Sequence, residues 1–320
     1  MKEYKILGEK DTRSGFGEGL LEAGKENPNV VALCADLTPS VRMDLFQKEF
    51  PERFIEVGIA ESNMVSIASG MAIAGKVPFV GSFAAFSTGR TYDQIRQSVA
   101  YSDTNVKIAG SHAGLTLGED GATHQTVEDL AIMRAIPGMT VLCPCDANEM
   151  ELAVEALINY EKPAYMRLGR LAVETVTDQI PGYKFEIGKG AILKDGTDVT
   201  IIAVGMNVQM SLEAAQILAD EGISARVVDM HTIKPLDEAL VLKCAKDTGA
   251  IVTTEEANIM GGLGSAVAEL IAESDVRVPV VRHGVEDCFG RSGKAPLVLE
   301  AYGITAEGIA KKAKEAIAKK

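Results

Sequence analysis

A chain of 320 residues, 47% hydrophobic and 24% charged, has the composition of an ordinary globular protein with room for two domains. A net charge of -13 excludes the basic face that nucleic-acid binding needs, yet leaves small anionic substrates open, because a few Arg and His residues suffice for a local positive pocket. No apolar run approaches the ~20 residues of a membrane span, and Met1-Lys2-Glu3-Tyr4-Lys5 lacks the apolar stretch of a signal peptide, so a cytoplasmic location is the simplest reading.

In chain order, short β-branched runs alternate with longer amphipathic ones. Strands are expected at 30–35, 54–57, 77–80, 106–109, 140–143 and 164–167, with helices near 14–25, 40–49, 60–74, 88–101, 125–135 and 147–160. The periodic signal thins near Thr175–Tyr183, where Pro181-Gly182 marks a linker. A second alternation follows, with strands at 199–204, 225–229, 250–254 and 279–282 and helices near 207–221, 236–246 and 262–273. Thr305 reads as the N-cap of a terminal helix with a Lys-rich last turn. The expected fold is therefore α/β, with two doubly wound domains at 1–180 and 187–320.

Five cysteines, at 34, 143, 145, 244 and 288, form no CxxC pair, and buried free thiols are expected rather than disulfides or zinc. None of the four His residues has a metal-ligand spacing such as HxxxH, and His231 and His283 read as structural. Gly261-Gly262-Leu263-Gly264 opens a helix and could in principle bind phosphate, but a lone Gly-rich turn is a weak signal and close helix–strand packing is the expected reading.

Ligands of open parallel sheets sit beyond the carboxyl ends of the strands. In the first half those positions carry Asp36-Leu37-Thr38-Pro39-Ser40, Gly58-Ile59-Ala60-Glu61-Ser62-Asn63, Ser82-Phe83-Ala84-Ala85-Phe86, Ser111-His112-Ala113-Gly114 and Arg167-Leu168-Gly169-Arg170. The segment Gly118-Glu119-Asp120-Gly121-Ala122-Thr123-His124-Gln125 continues the fourth. The segments Gly58–Met64, Gly81–Arg96 and Gly110–Gln125 resemble the thiamine-diphosphate pyrimidine-binding domain of transketolases, and the whole chain resembles that domain followed by the transketolase C-terminal domain. Thiamine enzymes hold the diphosphate through a metal on a Gly-Asp-Gly sequence, which this chain lacks. The resemblance is thus to the C-terminal subunit of a split transketolase. It implies an N-terminal subunit that brings the diphosphate and Mg2+ (or Ca2+), with two copies of each chain.

The resemblance assigns roles to particular residues. Glu61 would hydrogen-bond the N1′ nitrogen of the aminopyrimidine and favour the imino tautomer that removes the thiazolium proton, a task suited to an apolar pocket that raises its pKa. Phe83 and Phe86 would pack on the pyrimidine, with Leu37 beneath the bent cofactor and Asp36 beside it. The segment between Phe86 and Tyr92 is one residue longer than in some relatives, so no third aromatic is assigned. Arg13, Ser40, His112 and Arg167 would grip a sugar phosphate. Asp120 and His124 would contact substrate hydroxyls, and His124 would also serve the oxygen of the attacked carbonyl. Taken without the motif, Glu61 is an acid in a first helical turn, Phe83, Phe86 and Leu37 are core, and Arg13 and Arg167 are surface charges. The implied activity is transfer of a two-carbon ketol unit between sugar phosphates. The alternatives are the beta subunit of a 2-oxo acid dehydrogenase decarboxylating component, and a non-catalytic scaffold.

Overall fold

The structure, a computed structural model, describes residues 8–180 and 182–320, and of Gln179 the backbone alone. Met1–Lys5 and Pro181 of the expected linker lie outside the described residues. The strands, in chain order, are β1 Glu9–Asp11, β2 Val30–Cys34, β3 Phe54–Glu56, β4 Val77–Phe83, β5 Lys107–Ser111, β6 Thr140–Leu142, β7 Ala164–Arg167 and β8 Ala172–Glu174 in the first half. In the second half they are β9 Ala191–Lys194, β10 Val199–Ala203, β11 Ala225–Asp229, β12 Thr232–Lys234, β13 Ile251–Asn258 and β14 Val280–Val285.

The first sheet has the order β12-β6-β7-β5-β4-β2-β3 and is parallel throughout except for β12. Strands β2, β4, β5, β6 and β7 are buried at every position, as continuous apolar strands covered on both faces must be. Asp11 caps the helix Thr12–Glu26 by accepting the Ser14 amide at 3.0 Å, and Asp146 caps Ala147–Ile158 through the Glu149 amide at 2.8 Å. These helices pack at close range because Gly15 has no side chain; a Cβ there would lie 2.2 Å from the Ala147 carbonyl oxygen.

The second sheet has the order β14-β13-β10-β11-β9, with β9 antiparallel at the edge. Thr305 caps the terminal helix Ala306–Ile317, its hydroxyl accepting the Gly308 amide at 3.1 Å. The halves are interlocked. Strand β12 comes from the second half yet pairs with β6 at the edge of the first sheet, and the Cys143 amide donates to the His231 carbonyl at 2.7 Å. One apolar cluster runs through both halves, from Leu33, Val80 and Ile108 to Ile202, Val228 and Val267. A shared core of this kind holds two domains in a fixed relation.

Three departures from the sequence reading have local causes. The expected helix over 88–101 is instead a π-helical turn at Ala85–Gly89, one short α-turn at Tyr92–Gln94 and a second π-helical stretch at Ile95–Tyr101. An extra residue in a helix is absorbed by widening i→i+4 bonds to i→i+5, which matches the one-residue excess noted between Phe86 and Tyr92. The helix expected at 40–49 is confined to Asp44–Glu49, and that at 125–135 to Asp129–Ala135, both preceded by turns. Strands β1, β8, β9 and β12 and the helix Ala295–Ala301 were not anticipated; each is short, and the strands lie at sheet edges. No helix among the described residues is long and apolar enough to cross a membrane.

Candidate active site

Glu61 opens the helix Glu61–Ile73 just beyond β3 and is 3% exposed. Its carboxylate faces a cation rather than the expected apolar pocket: Nη1 of Arg90 donates to Oε1 at 2.9 Å and Oε2 at 3.0 Å. The guanidinium also lies over Phe86, 4.4 Å from the ring centroid, so it binds an anion and an aromatic face at once.

Phe83, the last residue of β4, and Phe86 in the π-turn stack at 5.9 Å with an interplanar angle of 18°. Phe83 lies 4.0 Å from the ring of His112, and His124 meets Phe86 edge-on at 5.2 Å. Four expected residues thus form one aromatic chain, His112–Phe83–Phe86–His124, which Arg90 joins to Glu61. The hydroxyls of Ser82 and Ser87 are buried without a hydrogen-bond partner; Ser82 precedes Phe83 in β4 and so faces the other side of the sheet.

Arg13, in the first turn of its helix, donates through Nη1 to the Ser40 carbonyl at 3.0 Å and contacts Nε2 of His112 at 3.3 Å. Because the guanidinium can only donate, Nε2 carries the lone pair and the Nδ1 proton of His112 goes to the Ser111 hydroxyl at 2.9 Å. Burial, then the charges of Arg13 and Arg170, push the His112 pKa down to about 3, so the ring is neutral. Burial also lowers the pKa of Arg13 from its ordinary value.

Arg167 does not join this group. It is 6% exposed, its Nε donates to Asp129 at 2.9 Å and its Nη2 to the Glu256 carbonyl at 2.8 Å. An ion pair this buried is committed to the fold. The arginine that does approach the cluster is Arg170, three residues on: its carbonyl accepts from Arg13 at 3.1 Å and its half-exposed guanidinium pairs with the Leu117 carbonyl and, at 3.1 Å, with Glu119.

Asp36 and Leu37 lie on the loop after β2, Asp36 exposed and Leu37 half-buried. Glu56, which sequence reasoning passed over, ties this loop to the one bearing Glu61. Its Oε1 accepts the amides of Asp36 at 2.7 Å and Gly58 at 2.9 Å, and its Oε2 the Thr38 hydroxyl at 3.1 Å. Asp36 and His112 both adopt left-handed backbone, each with φ of 57°. Non-glycine residues held there cost energy and cluster at functional sites. Asp120 is exposed at the end of the 3-10 turn Leu115–Asp120, and His124 follows it, half-buried.

The Gly-rich turn is packed, not open: Glu255 accepts the amides of Leu263 at 2.9 Å and Gly264 at 2.8 Å, and a Cβ on Gly262 would lie 2.0 Å from the same carboxylate. His283 is held between the Thr254 hydroxyl and the Gly303 carbonyl, both at 2.8 Å, and His231 stacks on Phe185 at 4.2 Å. Cys34, Cys143, Cys145 and Cys244 are buried free thiols; Cys288 is exposed. Among the described residues one group could ligate a metal, Cys145, Glu149 and Asp229, all buried where the two halves meet and none in the aromatic bed.

The sequence model of the transketolase pyrimidine-binding domain matches residues 8–175, and that of the transketolase C-terminal domain matches 188–309. A chain of Methanocaldococcus jannaschii described as a transketolase C-terminal section is 48% identical over 310 residues, covering 97% of each chain. A 6-deoxy-6-sulfo-D-fructose transketolase subunit of Clostridium sp. is 42% identical, covering 96% of this chain and 95% of its own. Among solved structures, a split-gene transketolase described as an inactive beta4 tetramer superposes with a TM-score of 0.90 at 46% identity, over 97% of this chain and 99% of that one. The transketolase of Pichia stipitis superposes at 0.83 and 27% identity over 98% of this chain but only 47% of its own. The chain belongs to the transketolase family, of which it carries the pyrimidine-binding and C-terminal domains.

Proposed function

We propose that this chain, as the C-terminal subunit of a split transketolase, supplies the pyrimidine seat and most of the substrate-phosphate grip of a thiamine-diphosphate site completed by an N-terminal subunit. The observation that carries this reading is the convergence of Glu61, Phe83, Phe86, His112, His124 and Arg13 beyond the carboxyl ends of one parallel sheet. The local chemistry fits an aminopyrimidine: a buried carboxylate to bind a ring nitrogen and a stacked aromatic pair to take its face. It does not fit the diphosphate–metal end, since the chain has no Gly-Asp-Gly and the Cys145–Glu149–Asp229 group is sealed elsewhere. That end belongs to the N-terminal subunit, with Mg2+ (or Ca2+). The related split-gene chain is described as inactive as a beta4 tetramer, which supports the same requirement here. The complete assembly in this reading holds two copies of each chain.

When bound, thiamine diphosphate supplies the carbon nucleophile of ketol transfer. Glu61 holds a proton at the pyrimidine nitrogen. Arg13, the Ser40 loop, neutral His112 and Arg170 bind the phosphate of the sugar, with Arg170 in the place expected of Arg167. Asp120 and His124 orient hydroxyls and the carbonyl oxygen, His124 by hydrogen bonding at the edge of Phe86. Leu37 and Asp36 line the same bed on the loop fixed by Glu56.

The sugar is not set by this half alone. Relatives of similar length are named for sulfofructose and for apulose 4-phosphate, while 1-deoxy-D-xylulose-5-phosphate synthases match over about half their length. Purified chain, purified partner and their mixture, supplied with cofactor and Mg2+ and assayed against a panel of ketose and aldose phosphates and against pyruvate, test the reading. Ketol transfer by the mixture alone supports it; decarboxylation of pyruvate as the main activity would favour the dehydrogenase-type alternative.

A further inference from the structure

Segment 112–127 carries His112, Asp120 and His124 on a backbone with four left-handed positions. His112 has φ of 57°, and Gly114, Gly118 and Gly121 have φ of 81°, 85° and 75°. The 3-10 turn is broken at Gly118. Within the first half, the Ala113 amide reaches the Leu168 carbonyl at 3.2 Å and the Gly114 amide the Thr126 carbonyl at 2.8 Å.

Arg170 holds the Leu117 carbonyl and Glu119, and the Gln125 side-chain amide donates to the Leu115 carbonyl at 3.1 Å and the Gly118 carbonyl at 3.0 Å. Further fastenings come from the second half. Glu256, on β13, is 3% exposed and reaches across the junction so that Oε1 accepts the Thr116 amide at 2.6 Å. Its carboxylate fills the space a side chain at Gly114 would need; a Cβ there would lie 2.5 Å from its carboxyl carbon. Its own carbonyl accepts Arg167 at 2.8 Å, so the ion pair with Asp129 fixes the strand that presents it. Asn258 donates its amide to the Val127 carbonyl at 2.7 Å, Gln125 donates to the Arg291 carbonyl at 3.0 Å, and the Ser292 hydroxyl donates to the Glu119 carbonyl at 2.5 Å.

We infer that Glu256 is a positioning residue for the substrate loop, and that the C-terminal domain serves the reaction by holding segment 112–127 in this shape. This rests on the reading of His112, Asp120 and His124 as substrate residues. Glu256 lies between Gly114 and Thr116, two and four residues beyond His112, so loss of its carboxylate releases the turn nearest the phosphate grip. Glu61, Phe83 and Phe86 are held on other segments and meet segment 112–127 through the rings of His112 and His124, so the sugar site is expected to suffer more than the cofactor bed.

The test uses the assembled two-subunit enzyme with thiamine diphosphate, Mg2+ and a ketose phosphate that the wild type turns over. Glu256→Ala is expected to raise the KM for the sugar phosphate about tenfold, with cofactor affinity unchanged within about twofold, since misplacement of a binding group by an ångström costs up to ~100-fold. Glu256→Gln, whose amide oxygen still accepts from Thr116, should restore most of the wild-type KM. Gly114→Ala, which pushes against the same carboxylate from the loop side, should reproduce the Glu256→Ala defect. An unchanged KM in Glu256→Ala, or equal losses of cofactor and sugar affinity that Glu256→Gln does not rescue, would overturn the inference. If Glu256→Ala does not fold, Glu256→Asp, which withdraws the carboxylate by one methylene, is measured in its place against the same two outcomes. A wild-type complex that turns over no ketose phosphate would instead sink the functional reading, and with it this inference.

Discussion

Arg90 donates one nitrogen to both carboxylate oxygens of Glu61, at 2.9 and 3.0 Å, while its guanidinium plane covers Phe86. A planar cation on this carboxylate and this ring takes the two contacts assigned to the aminopyrimidine. Arg90 is half-exposed, whereas Glu61 is buried. Substituting Arg90→Ala should therefore tighten cofactor binding by the assembled enzyme several-fold, with Arg90→Lys between it and wild type. Calorimetric titration of the complex reads this directly. Weaker binding in Arg90→Ala would mean that the arginine holds Glu61 in place for the cofactor instead.

Glu61→Gln keeps the volume and the hydrogen-bond acceptor but cannot exchange a proton with the ring. Activity of the mixture should fall by ~100-fold or more, the usual range for losing acid–base function, while the complex still assembles. Steady-state rates together with a sedimentation measurement separate the two effects.

His112 gives the folded protein an acid limit. Its pKa is about 3 when folded against an ordinary 6.5, because burial and the neighbouring Arg13 and Arg170 charges disfavour the imidazolium. Below pH 6.5 the unfolded chain takes up a proton that the folded chain refuses. The stabilisation is complete above 6.5 and is lost as pH falls toward 3, by up to about 1.4 kcal/mol per pH unit. His112→Gln should flatten this limb in a series of melting temperatures between pH 7 and pH 4.

Asp229 works with the opposite sign. It is fully buried at the junction of the domains, and burial followed by the nearby Glu149 raises its pKa well above the ordinary 3.8. The folded state then keeps a proton that the unfolded chain gives up above 3.8, so stability falls as pH rises through the acid range toward the folded pKa. Asp229→Asn, which is of the same size and always neutral, should melt higher than wild type at pH 8, and the gap should close near pH 4. A lower melting temperature at pH 8 would show that the carboxyl proton is itself essential to the junction.

The sheet was legible because its strands are buried on both faces, and such strands show as unbroken runs like Val30-Val31-Ala32-Leu33-Cys34. Short edge strands such as β12 gain their stability from a partner distant in sequence, here β6, and leave no local pattern. The site followed the same division. Glu61, Phe83, Phe86, His112 and His124 sit at strand ends and inside a dense motif, and the structure gathers them. Arg90 was passed over; it ends the π-helical turn Ala85–Gly89, where its side chain reaches both Phe86 and Glu61. Arg167 and Arg170 differ by three positions in Arg167-Leu168-Gly169-Arg170. Arg167 still belongs to β7, where a buried charge needs an ion partner, and Asp129 provides it; Arg170 lies past Gly169, in the loop beyond the carboxyl end of the strand. That distinction was available from the end of the strand.

The most direct test of a half site is to titrate thiamine diphosphate with Mg2+ into this chain alone, into its N-terminal partner alone and into the equimolar mixture, with Glu61→Ala as a fourth sample in the mixture. The account predicts tight, saturable binding in the wild-type mixture only, weakened by Glu61→Ala. Tight binding and ketol transfer by this chain alone, or binding in the mixture that is indifferent to Glu61, would contradict it.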